Sequence, residues 1–97
     1  MKLPADLRKF ARGQDCQLRF PGCRNDRETV CLCHVRRANV AGMGQKPPDL
    51  CGVHGCGHCH SILDGKVHLA NLSKLEIDQY ALFALCRTLA IVTRAAA

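Results

Sequence analysis

Cys56 and Cys59 are separated by two residues and followed at once by His60, with Asp64 four residues further on. A two-residue knuckle lets both thiolates face one ion, so this segment is half of a tetrahedral zinc site. If a helix starts at the knuckle, His60 and Asp64 lie one turn apart on the same face and can share a second ion. A chain carrying such a segment must bring further ligands to it. That requirement constrains the fold more than any apolar pattern in the sequence.

The chain has eight cysteines in 97 residues. Disulfide scaffolds of small secreted proteins are one explanation for such a count. The opening Met1-Lys2-Leu3-Pro4-Ala5-Asp6 argues against it, because it leads into a charged segment without an apolar signal region. No run approaches the roughly 18 apolar residues of a membrane span. Reduced thiols in the cytoplasm, with zinc, are therefore the preferred reading. The only large aromatics are Phe10, Phe20, Tyr80 and Phe83. A single domain of this size buries only about two thirds of its unfolded surface, so a metal staple adds materially to its stability.

The natural second pair of ligands is Cys16 and Cys23, on either side of a Pro21-Gly22 turn. Cys16, Cys23, Cys56 and Cys59 form the preferred structural zinc set. The rivals are Cys31 with Cys33, or Cys51 and His54 from the same cluster. Cys31 and Cys33 alternate on a strand and share a face, but a strand spaces them awkwardly for a tight chelate. Cys31, Cys51 and Cys86 read as small buried hydrophobes. His54, His58 and His68 have no required role, and His58 is expected to point outward.

Around these residues the pattern predicts few elements. Residues 4–12 read as a short helix, with Pro near its start and Gly13 as its stop. Residues 16–20 alternate as a strand does, and 28–36 form a second strand that can pair with the first as a ribbon. Residues 37–50 are a loop punctuated by Gly42, Gly44, Pro47 and Pro48. A short helix covers 57–64. Ser73 can N-cap a long helix running to about Arg94, and Glu76 completes a capping box. That helix reaches roughly 30 Å at 1.5 Å per residue. It is apolar on nearly every side from Tyr80 to Val92, so it either covers the ribbon or pairs two copies of the chain.

Charge is placed unevenly. Residues 1–46 hold ten Lys/Arg against four Asp/Glu, whereas residues 47–97 hold four of each. A basic half beside a metal cluster suggests a phosphate backbone as partner. Solvated surface charge is the alternative.

The order strand, His34, loop, Cys56-x2-Cys59-His60, helix resembles the HNH, or ββα-metal, nucleases. That resemblance implies His34 as general base and His60 with Asp64 as ligands of a catalytic divalent ion, Mg2+ or Mn2+. Asp49 is the nearest counterpart of the family's middle Asn and would orient the base. Cys33 stands where the family commonly has an acidic or His ligand, which is a departure. Asp6-Leu7-Arg8-Lys9, Cys16 to Cys23, Cys33-His34-Val35-Arg36, residues 42–49 and Cys56 to His60 are similar to the YbcO-like nucleases of phages and prophages. This likeness spans roughly residues 5–65. It implies a nuclease acting near phage recombination without naming the substrate; an endonuclease of the bacterial host cytoplasm acting on DNA is the expectation.

The fold expected is then α+β: a small zinc-stapled ββα-metal domain over residues 1–97. Residues 1–14 supply a short N-terminal helix, 15–66 the core, and 67–97 the long C-terminal helix. Arg36, Arg37 and Lys46 are placed to hold phosphate oxygens, while an ordinary imidazole can accept a proton from water near neutral pH. The competing function is a non-catalytic zinc module that binds nucleic acid or protein. Both readings need the thiols and the basic half. Only the enzyme needs His34 opposite His60 and Asp64.

Overall fold

A computed structural model of the chain describes residues 3–36 and 47–96. Helix α1 spans Leu7–Ala11, strand β1 Cys31–His34, strand β2 Gly52–Gly55, helix α2 Gly57–Leu63 and helix α3 Lys74–Ala95. Single turns of 3-10 helix at Arg27–Thr29 and Asp49–Cys51 lead into the two strands. The architecture is α+β: an antiparallel two-stranded sheet, a short helix following its second strand, and a long C-terminal helix packed on that strand.

The expected ribbon between residues 16–20 and 28–36 does not form. β1 pairs with β2 instead, in the register Cys31 with Gly55 and Cys33 with Val53. Residues 16–20 cannot continue as a strand because Arg19 takes a left-handed backbone, φ 55°. The segment wraps as a loop, tied by its own polar groups. The Cys16 amide donates to Asn25 Oδ1 at 2.6 Å, and the Asn25 amide nitrogen and Arg27 both donate to Asp15. These bonds hold the Cys16 and Cys23 ends of the loop together.

Helix α1 is shorter than expected, since Asp6 rather than Pro4 begins it: the Asp6 carboxylate accepts from the Lys9 amide at 3.1 Å. The capping box of α3 is present, with Ser73 Oγ accepting from the Glu76 amide and Glu76 accepting from the Ser73 amide, both at 3.1 Å. Ala81, Ala84, Thr88 and Val92 form the buried stripe of α3, at helical spacing, and its small residues allow close approach to β2. Leu75, Leu82 and Phe83 are exposed. The apolar character of α3 is thus covered on one face only.

The core lies between the sheet, α2 and α3, around Leu18, Phe20, Val30, Val53, Ile62 and Leu72. The Phe20 and Tyr80 rings pack with centroids 5.0 Å apart. Among the described residues, no helix is long and apolar enough to cross a membrane.

Candidate metal centre and adjoining cleft

Cys16, Cys23, Cys56 and Cys59 converge, their sulfurs all within 4.8 Å of one another. Cys23 Sγ and Cys56 Sγ are 3.9 Å apart. Tetrahedral Zn–S bonds of about 2.3 Å set sulfurs about 3.8 Å apart, so the Cys23–Cys56 spacing matches an edge of such a site. Three of them are buried. All eight cysteines are free thiols. The cluster can hold a zinc ion. The Cys16 thiol is drawn down to about 4, chiefly by the hydrogen bond from Cys59, whose own thiol is pushed up well above the usual range as the donor. Burial also pushes Cys23 up.

Local structure delivers these sulfurs. Cys56 is the N-cap residue of α2, and the free amide of Gly57 is satisfied by Thr29 Oγ1 at 3.0 Å. The Asn25 amide donates to Cys23 Sγ at 3.4 Å. His58 points outward, as expected, and its Nε2 lies 2.9 Å from the Pro21 carbonyl, closing one knuckle against the other. Gly22 sits beneath that ring with φ 85°, and a Cβ there would lie 3.0 Å from His58 Nε2.

A second group gathers around the C-terminal part of α2 and the end of β1. His60 Nε2 is 3.0 Å from Asp64 Oδ2, the one-turn contact anticipated from their spacing. His34, at the end of β1, places Nε2 2.8 Å from Asp49 Oδ1. His34, Arg36, Leu63 and Asp64 line one open cleft of about 370 Å³. Asp49 also faces Arg8, with Nε 3.5 Å away. The His34 hydrogen bond, with Arg8 assisting, holds the Asp49 carboxyl below the usual carboxylate range. Arg36 is exposed at the cleft. Arg37 and Lys46 lie outside the described residues.

Two readings of the cysteines need correction. Cys86 is exposed, and Cys31 and Cys51 are half-buried, so none of them is a buried hydrophobe. Cys31 and Cys33 are not awkwardly spaced: their sulfurs are 3.9 Å apart, because side chains on one strand face lean along the strand. Sequence reasoning set this pair aside on backbone spacing alone. His54 is in neither cluster of potential ligands among the described residues: it is fully buried beside Phe10, and neither ring nitrogen has a hydrogen-bond partner among them. Burial holds its ring below the ordinary imidazole range.

Residues 5–96 match the family described as "Putative nuclease YbcO". The chain is 46% identical over 68 residues to the Escherichia coli K12 protein of that name, covering 69% of this chain and 71% of the relative. The ybcO protein of Enterobacteria phage 82 matches to the same extent. A solved structure described as "Structure of a putative bacteriophage protein from Escherichia coli str. K-12 substr. MG1655" superposes with TM-score 0.74 at 33% identity. It covers 92% of this chain and 98% of that one.

Proposed function

The chain belongs to the YbcO family, and from that premise we propose that it is a metal-dependent endonuclease hydrolysing phosphodiester bonds, with an HNH-type site. Relatives whose names describe them as nucleases of the YbcO type, one of them from a phage, support the reaction class; DNA as the substrate and a role in phage recombination are part of the proposal itself. The observation that carries the mechanism is the shared cleft: His34, anchored on Asp49, faces the same open space as Asp64 and Arg36.

With Nε2–H donated to Asp49, the Nδ1 lone pair of His34 is the free one. It takes the proton of a water attacking phosphorus in line with the departing 3′ oxygen. The Asp49 carboxylate holds the ring in that tautomer and stabilises the cation that forms. Arg36 holds a phosphate oxygen at the cleft edge, with Arg37 and Lys46 adding to the basic surface. His60 and Asp64 would hold a divalent ion through adjacent nitrogen and oxygen donors, and it would supply charge stabilisation to the phosphoryl and leaving oxygens. The tetrathiol cluster keeps α2 in place beneath this cleft. Recognition runs through backbone and shape. Pairing of two copies through the exposed Leu82 and Phe83 of α3 belongs to the same reading, and sedimentation velocity measures it.

The test is plasmid nicking with added Mg2+ or Mn2+, wild type beside His34→Ala. Wild type nicks, and the variant keeps zinc and fold yet loses about 10²–10⁴-fold, the usual contribution of a general base. A wild type that binds DNA but leaves it intact under every divalent ion would make this a non-catalytic zinc module.

A further inference from the structure

Cys31, Cys33 and His60 form a second cluster beside α2, their ligand atoms all within 4.8 Å of one another. Cys31 Sγ lies 3.9 Å from Cys33 Sγ and 3.6 Å from His60 Nδ1. Around tetrahedral zinc, with Zn–S of about 2.3 Å and Zn–N of about 2.05 Å, the S–S edge is about 3.8 Å and the S–N edge about 3.6 Å. The two measured edges match the polyhedron.

We propose that these three side chains form a second thiolate metal site, selective for a zinc-type soft cation, with His60 ligating through Nδ1. Three further observations point the same way. His60 is oriented for it: its Nε2 faces Asp64 at 3.0 Å, so an Nε2–H donated to that carboxylate leaves Nδ1 as the lone-pair nitrogen. A carboxylate behind a ligating imidazole is the usual outer-shell arrangement. Room is provided by the partner strand, because the residue opposite Cys31 is Gly55, where a Cβ would lie 2.9 Å from Cys33 Sγ and 2.6 Å from Leu18 Cδ1. Access is provided by burial that is complete for Cys33 but only partial for Cys31 and His60.

Three protein donors leave a fourth position for water or a substrate oxygen, the pattern of catalytic rather than structural zinc. The donor set also decides among metals. Two thiolates and an imidazole select zinc-type ions over Mg2+ or Mn2+, which prefer oxygen. A neutral imidazole has one lone pair, so His60 serves this site through Nδ1 or an ion beside Asp64 through Nε2, one at a time. Only this last consequence rests on the nuclease reading.

The test is metal stoichiometry in the absence of nucleic acid, so a failure to cleave DNA does not bear on it. Reduced wild-type protein is loaded with excess Zn2+ and weighed by native mass spectrometry. Two ions per chain are expected, and one in Cys31→Ser/Cys33→Ser. Should that variant fail to fold, His60→Ala, which changes a partly exposed side chain, is expected to lose the same single ion. With Co2+, the sulfur-to-metal charge-transfer band falls by about one third on losing two of six thiolates. A single ion per wild-type chain, or two ions retained when these residues are changed, overturns the site. So does alkylation of Cys31 and Cys33 at the same rate with and without metal.

Discussion

His34 Nε2 and Asp49 Oδ1 sit 2.8 Å apart, although fifteen residues of sequence separate them. The contact joins the end of β1 to the 3-10 turn that leads into β2, so the register of the sheet fixes the orientation of the ring. The imidazole is mostly buried and the carboxylate partly exposed, which leaves Asp49 in contact with Arg8 and solvent as well.

Asp49→Ala is expected to reduce the rate of nicking with little change in the substrate concentration needed for half-maximal rate. The loss should be smaller than for His34→Ala, because a positioning carboxylate is removed and the base retained. Steady-state kinetics on both variants checks it. Equal losses in both, together with loss of zinc, would mean a structural rather than a positioning role.

Removing metal from the tetrathiol cluster should unfold or loosen the domain. Structural zinc contributes about 10–16 kcal/mol of apparent binding energy in zinc-finger peptides, comparable to the whole stability of a domain this size. Circular dichroism during titration with a zinc chelator is expected to lose helical signal, and Cys59→Ser should start in the loosened state. A chelated protein that melts at the unchanged temperature would refute the staple.

Arg36→Ala should weaken DNA binding across all sequences alike. Each neutralised phosphate contributes about one unit to the slope of log affinity against log salt, so the slope should flatten by about 1. Fluorescence anisotropy at several salt concentrations measures both. An unchanged slope would place Arg36 away from the backbone.

His54 gives the protein an acid-sensitive core. Burial depresses its proton affinity in the folded state, whereas an unfolded imidazole titrates near 6.5. The unfolded chain therefore binds the proton more readily below that value. Stability from this group is fully present above about pH 6.5 and is lost as pH falls from there through the depressed folded value. The slope is at most about 1.4 kcal/mol per pH unit. Denaturant melts of wild type and His54→Phe at pH 7.5 and 5.5 isolate it from proton effects on the thiols. The variant should lose less on acidification.

Local signals were legible in the sequence, and long-range pairing was not. The Ser73–Glu76 capping box and the α2 knuckle depend on residues three or four apart, and both stand as read. The convergence of Cys16 and Cys23 with Cys56 and Cys59 was legible because zinc chemistry demands four ligands. β2 was missed for a physical reason. All four of its residues are buried and two are glycines, so it carries no alternation of polar and apolar types. Residues 16–20 alternate convincingly but are bent by the Arg19 backbone and by the Asn25 and Asp15 bonds. The Cys31–Cys33 pair was discounted from strand spacing, which ignores how far a side chain can lean.

The 3.9 Å approach of Cys23 and Cys56 closes a loop between positions 33 apart in the chain, and both strands lie within that loop. During synthesis the first half emerges with two of its four thiols and no partner for β1, so its folding waits for residues 52–59 to leave the ribosome. Once closed, the loop tolerates length. Doubling a flexible loop costs only about 0.6 kcal/mol, so insertions between β1 and β2 leave the thiol cluster nearly as stable as before. Added length in the connection between the strands therefore leaves the framework of thiols and sheet unchanged.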